Sequence, residues 1–339
     1  MVKEIFREMK ERLGGGVSVD FCLYCDPEKI TNVQEHNKAW RDAARSLPFG
    51  QNVEVQYETR FDLGYWEMLP LFLRGNVDGV HAPTKGRDIA SSDEPHRRWS
   101  LEETERSMDL AHELDAKYFV HHLTPQDDFQ DRNRQLERGF KSLDELTEYY
   151  KNKGYGFKIL PEILEHPKSP ANKTESVKII EKAKIIFNKY KMEEKLGFCL
   201  DIAHLWHNLK SLLPDRTPFD FEEELNDYIS EISKHTSIDV VHLAGAYVEE
   251  GDKNQVHVTH AYPGLMMGEH YSQTSRCRID EKPSSFNGEW MNADSVLRSI
   301  KSIKSIQGKD PIITIEAHDP NIENQLTACR KISQQYKTL

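Results

Sequence analysis

Six residues able to bind a cation or exchange a proton recur along this chain at nearly constant distance, each at or beside the end of a short apolar run. They are His81, His121, Glu162, Asp201, His242 and Glu316, separated by 40, 41, 39, 41 and then 74 residues. The apolar runs, eight in all, are Val17–Leu23, Val53–Glu58, Val77–His81, Tyr118–Leu123, Phe157–Glu162, Gly197–Asp201, Asp239–Leu243 and Pro311–Glu316. They are continuous rather than alternating, the pattern of strands covered on both faces of a parallel sheet. Helical patterns fill the gaps. Ser100-Leu-Glu-Glu has the spacing of a capping box and opens one of them, and Thr174–Lys191 places Val177, Ile180, Ala183, Ile186 and Phe187 on one face. Further helical stretches are read at 134–150, 220–235, 293–306 and 321–336. Strand–helix alternation of this length predicts an α/β chain closed into a single (β/α)8 TIM barrel. An open doubly wound sheet would want a Gly-rich turn after its first strand, whereas Gly14–Gly16 precede it.

One domain is expected over 1–339, with a core from about 17 to 330, because no low-complexity or Pro/Ser-rich linker interrupts the chain. No apolar run approaches the roughly 18–20 residues of a membrane span. The opening MVKEIFREMKERLGGG lacks the apolar stretch of a secretion signal, and five cysteines do not make a disulfide framework, so a cytoplasmic protein is expected. With 45 Lys+Arg against 56 Asp+Glu, the net charge of −11 argues against nucleic acid as a partner without excluding a local basic groove. The composition is compatible with an oligomer and fixes none.

In a parallel barrel the carboxyl ends of the strands share one mouth, and chemistry sits there. Three His, two Glu and one Asp at equivalent strand ends form a metal-ligand inventory, since acidic groups crowded together need a cation between them. His204 follows Asp201 within one helical turn. His121 and His122 are adjacent and alternation sends only one inward; the period favours His121, with His122 left to contact substrate. The long final step requires an extended, lid-like insertion at about 244–292, holding His257, His260, His270, Arg276, Arg278 and Glu281. His257 and His260 read as extended, hence on opposite faces. Arg276 and Arg278 would share a face and grip an anionic or polar substrate group. Trp66, Trp99 and Trp206 are candidates for a sugar-pocket wall, although helix packing explains them equally. Of Glu54 and Glu58 one is expected at the mouth and the other in solvent. Cys22 and Cys25 form a lone CxxC without a second pair.

The motifs HAP at 81–83, VHH at 120–122, PE at 161–162, LDIAH at 200–204, VHL at 241–243 and IE at 315–316 resemble those of the xylose isomerase-like TIM-barrel superfamily. The superfamily includes sugar isomerases and epimerases and the endonuclease IV-type proteins. The resemblance implies that Glu162, Asp201, His242 and Glu316 hold one divalent ion (Mn, Co, Mg or Zn), with His204 near the substrate. It further implies an isomerase or epimerase acting on a sugar or related small polyhydroxy carbonyl compound through a metal-stabilised enediolate, with Glu162, Glu316 and His204 as the proton-handling residues. In the endonucleases His81 and His121 would bind additional zinc and Glu162 would bridge two ions, giving an apurinic-site phosphodiesterase as the alternative. Against that stands Asp280-Glu281-Lys282 before the turn candidate Asn287-Gly288-Glu289-Trp290, with lysine where the endonuclease pattern has histidine. The arginine that epimerases carry soon after the seventh-strand histidine is replaced by Ala246, Tyr247 and Val248. A barrel that binds metal or sugar without turnover is the third reading.

Overall fold

The computed structural model describes residues 19–23, 52–56, 75–84, 86–124, 132–212, 220–249, 256–259, 271–272, 276–277, 288–290, 293–316 and 322–339. Eight strands form one parallel sheet: β1 (Val19–Leu23), β2 (Val53–Gln56), β3 (Val77–His81), β4 (Tyr118–His121), β5 (Lys158–Pro161), β6 (Phe198–Asp201), β7 (Ile238–Leu243) and β13 (Ile312–Ile315). Their order is β5-β4-β3-β2-β1-β13-β7-β6. The end strands β5 and β6 meet through two isolated parallel bridges, Ile159 with Leu196 and Glu162 with Cys199. Gly197 N–H donates to the Ile159 carbonyl at 3.1 Å and Ile163 N–H to the Cys199 carbonyl at 3.3 Å. This is the strand order of a (β/α)8 barrel, with no continuous ladder between β5 and β6.

Seven helices lie among the described residues: α1 (Glu94–Glu113), α2 (Arg132–Lys153), α3 (Lys173–Lys189), α4 (Ile202–Leu212), α5 (Phe221–His235), α6 (Ala293–Gln307) and α7 (Ile322–Thr338). Asn172 caps α3 and Asp220 caps α5, each side chain accepting the N–H three residues on. The capping box read at Ser100 is not a helix start. α1 begins six residues earlier, after Asp93 and with proline in its first turn, and Ser100 is buried within it, its hydroxyl accepting Asp88 N–H at 2.9 Å. α2 ends at Gly154, whose φ of +70° suits a residue without a Cβ.

Strand alternation divides the core in two. One set of side chains, including Phe119, Ile159, Leu200 and Val241, packs with helix residues such as Leu143, Ile180, Ile229 and Ile300. Each such fully buried side chain contributes about 1.5–3 kcal/mol through area removed from water. The other set, Tyr118, Val120, Leu160, Cys199 and Val240, packs together within the barrel. Gly79 makes room there: a Cβ on it would stand 2.0 Å from the Tyr118 ring.

The insertion after β7 has structure of its own. β8 (Gly245–Glu249), β9 (Val256–Thr259) and β12 (Gly288–Trp290) form an antiparallel sheet in the order β12-β8-β9, and β10 (Tyr271–Ser272) pairs with β11 (Arg276–Cys277). β8 and β9 lie against α4. Gly288–Trp290 is therefore strand, paired with Tyr247–Glu249, and not the turn read from its sequence. Among the described residues no helix is long and apolar enough to cross a membrane.

Candidate metal centre

Counting alternate residues inward from the barrel interior identifies the mouth. Leu160 leads to Glu162, Cys199 to Asp201, Val240 to His242, and Thr314 to Glu316. All four polar residues are buried. One potential ligand atom from each of Glu162, Asp201, His242 and Glu316 lies within 4.8 Å of all the others. His242 Nδ1 is 2.7 Å from Glu162 Oε1 and 3.5 Å from Glu316 Oε2. Asp201 divides its carboxylate between two tasks. Oδ1 accepts His204 N–H at 2.6 Å and so caps α4, while Oδ2 is buried with no hydrogen-bond partner among the described residues. A buried carboxylate oxygen left unpaired is costly, and a cation is the partner that satisfies it together with its three neighbours. Three oxygen donors and one imidazole suit a borderline-hard divalent ion.

The electrostatics point the same way. The Asp201 carboxyl is raised by burial, with the nearby Glu162 charge adding to it against the opposing pull of His204. Burial likewise lifts Glu316, and although His242 opposes this, Asp201 and Glu162 add to it, carrying the group up to about 8. Burial works against a charged His242, but Cys199, Glu54 and Glu162 outweigh it and hold the imidazole well above its ordinary value. Glu162 is drawn down despite burial by His242, His122 and His81. Cys199 is buried 3.9 Å from Glu162 Oε1, its thiol pushed up first by burial.

A pH dependence follows for the metal-free protein. Because folding raises Glu316 above the ordinary glutamate value, its contribution to stability is full below that value and is lost as pH rises through about 8. A cation needs the ionised carboxylate, so binding displaces the proton. Thermal melts with and without Mn2+ at pH 5 to 8 are expected to show a metal-induced rise in Tm that grows with pH; a rise independent of pH contradicts this assignment.

A second group of donors shares Glu162. His81 Nε2 donates to Glu162 Oε2 at 3.1 Å and His122 Nε2 to the same oxygen at 2.9 Å. His81 Nδ1 donates to the Ala82 carbonyl at 2.7 Å, so both its ring nitrogens face acceptors. Burial opposes its charge, yet Glu162 and Glu54 raise it to about 9. His122, reached by the same parity through Tyr118 and Val120, takes the inward place that the 40-residue period assigns to His121. His121 is buried at the end of β4 on the opposite parity, with burial lowering its pKa to about 3. Burial also lowers His122, to about 4.

Of the remaining candidates, His204 Nδ1 pairs with Glu165 Oε2 at 2.9 Å. Burial alone would lower His204, but Asp201 and Glu165 raise it to about 10. Glu165 itself is not singled out by sequence. It sits in the loop after β5, which Arg132 grips through the Pro167 and Lys168 carbonyls and Asn208 through His166 N–H and the Leu164 carbonyl. Trp206 is 1% exposed and belongs to the hydrophobic core between sheet and helices, not to an open pocket wall. Trp99 is exposed beneath the Arg87 guanidinium, 3.6 Å from its ring centre. Arg276 lies in β11 opposite Ser272, and His257 lies in extended β9. Arg278, His260, His270, Glu281, Lys282, Trp66, Glu58 and Cys25 lie outside the described residues. Glu54, on β2, is fully buried and contacts His242.

Structural comparison places these elements among known barrels. A D-tagatose 3-epimerase-like protein is 20% identical, with a TM-score of 0.54 over 85% of this chain and 88% of its own. An AP endonuclease, family 2, from Brucella melitensis is 14% identical, with a TM-score of 0.53 over 91% and 96%. A Thermus thermophilus protein solved after soaking with ZnCl2 is 15% identical, with a TM-score of 0.51 over 94% and 98%. At these identities the likeness is one of fold. No curated protein matches the sequence. The sequence profile described as xylose isomerase-like TIM barrel matches residues 74–274, more than half of the chain and all of the segment from β3 to the insertion. The chain belongs to the xylose isomerase-like TIM-barrel family.

Proposed function

We propose that this protein is a divalent-metal-dependent isomerase or epimerase acting on a sugar or a related small polyhydroxy carbonyl compound. The observation that carries the reading is the convergence of Glu162, Asp201, His242 and Glu316 on one point, with a buried Asp201 oxygen left for a cation. A bound divalent ion supplies Lewis-acid polarisation of a carbonyl, which acidifies the neighbouring C–H. The protein's own groups do the rest. Glu162 and Glu316 flank the same point, which suits one carboxylate to take a proton from substrate and the other to carry one back. We assign His204, fixed by Glu165 and by its place one turn after Asp201, the part of a polar partner to substrate at the edge of the site. Five scattered cysteines do not make a disulfide framework, and on that ground we place this activity in the reducing cytoplasm.

The test is deuterium exchange. Ketoses and inosose-type ketones incubated in D2O with the Mn2+-loaded protein should incorporate deuterium at the carbon beside the carbonyl, as seen by NMR. No incorporation with any polyhydroxy ketone, together with cleavage of an abasic-site oligonucleotide, would replace this reading with the second one.

That second reading, a zinc-dependent phosphodiesterase, is favoured by the group formed by His81, His122 and Glu162. Two ions sharing Glu162 would clamp the attacking and leaving oxygens of a phosphodiester. His81→Ala separates the two. If one ion suffices, the variant keeps its metal content at about one per chain and loses activity by no more than about 10- to 100-fold, the scale of a group that hydrogen-bonds a ligand. If two are needed, metal content falls and cleavage drops about a hundredfold or more.

A further inference from the structure

One layer below the donors, three side chains from three strands meet around a carboxylate. Glu54 of β2 is fully buried, and its Oε2 accepts His242 Nε2–H at 3.0 Å and the Tyr118 hydroxyl at 2.9 Å. Tyr118 Oη also lies 3.1 Å from Thr314 Oγ1. Since the Tyr118 proton is committed to the carboxylate, the Thr314 hydroxyl donates to Tyr118. A directed chain results, from Thr314 through Tyr118 to Glu54, with the His242 ring donating to the same carboxylate from the other side. The sequence separation is long, 188 residues between Glu54 and His242 and 196 between Tyr118 and Thr314, so the curl of the eight-stranded sheet brings these side chains together.

We propose that Glu54 is the positioning residue of the centre. It holds the His242 proton at Nε2, so that an entering ion displaces the proton on Nδ1, which in the metal-free centre donates to Glu162 Oε1 at 2.7 Å. The proposal rests on the metal-centre reading and deepens it. A neutral imidazole has one donor and one acceptor nitrogen, and a carboxylate at Nε2 decides which is which. The same contact makes the ring a better donor to a cation at Nδ1, and it locks the ring plane. Tyr118 and Thr314 in turn hold the carboxylate, which a dry interior would otherwise leave free to rotate. Gly79 is part of the device, since any side chain there would displace the Tyr118 ring.

The test uses the full chain, loaded with Co2+. Isothermal titration should show Glu54→Gln binding Co2+ about 10- to 100-fold more weakly than the wild type, with Tyr118→Phe weakened in the same direction but less. Proton NMR of the Co2+ form should show a hyperfine-shifted, slowly exchanging imidazole N–H from His242 in the wild type. In Glu54→Gln that resonance should move and exchange faster, a change that general loosening of the fold would not confine to one signal. An unchanged dissociation constant or an unchanged resonance in folded Glu54→Gln overturns the proposal. If that variant does not fold, Tyr118→Phe with wild-type affinity overturns it. A wild-type chain that takes up neither Co2+, Mn2+ nor Zn2+ removes the metal-centre reading itself and this proposal with it, whereas wild-type binding matched by Glu54→Gln removes only the role of Glu54.

Discussion

Glu162→Ala is expected to abolish metal retention and turnover together, a larger effect than any other single substitution in this protein. Glu162 is the one residue common to both donor groups, and its two oxygens are within hydrogen-bond reach of three histidines: His81 and His122 through Oε2, and His242 through Oε1. Removing it takes away a ligand and leaves the buried, charged His81 and His242 and the half-buried His122 without their common counter-charge. Stranding buried charge in this way costs about 3–5 kcal/mol, so some loss of stability accompanies the loss of function. Metal retention should fall at least tenfold and turnover by about three orders of magnitude or more, the combined scale of a lost ligand and a lost acid–base group. Metal content after gel filtration and the initial rate of deuterium exchange are the measurements; retained metal with retained turnover contradicts the expectation.

Glu316→Gln is expected to separate the two roles that Glu162→Ala removes together. The amide keeps the shape and one oxygen donor, and burial that resists the ionised carboxylate no longer has a charge to resist. The metal-free variant should therefore be at least as stable as the wild type above pH 8, where the wild-type group must ionise in a buried place. Metal affinity should weaken about 10- to 100-fold. At saturating metal, turnover should still be reduced about 10²- to 10⁴-fold, because the amide cannot exchange a proton with substrate. Melting curves across pH and rates at saturating Mn2+ test this; full turnover at saturation would restrict Glu316 to holding the ion.

The 40-residue period makes most of the centre legible in sequence, because each strand end occupies the equivalent place in a repeated βα unit. The structure brings together Glu162, Asp201 and His242, which follow that period, and Glu316, which follows it once the insertion after β7 is set aside. Period names the unit but not the face of the strand, and that is why His121 and His122 are not separable by counting alone. The choice falls to His122 because Tyr118 points into the barrel, which depends on Gly79 of the neighbouring strand and on a hydroxyl partner on β2. These are contacts between distant segments that no local pattern carries. Glu54 escapes the period for a similar reason. It pairs with Gly79 in register, one layer beneath His81, so it lies outside the repeated set of strand ends. Glu165 escapes because its position depends on a loop held by Arg132 and Asn208. Ser100 shows the opposite error: a locally sound capping pattern is overridden by a proline-bearing start six residues upstream.

The most direct measurement is anomalous diffraction from crystals of the wild-type chain grown with Mn2+. The account predicts a peak enclosed by Glu162, Asp201, His242 and Glu316, at about 2.0–2.3 Å from oxygen and imidazole donors. Asp201 Oδ2 and His242 Nδ1 should be among those donors. A peak held by His81 and His122 with none at Asp201, or no peak at the barrel mouth, would contradict it.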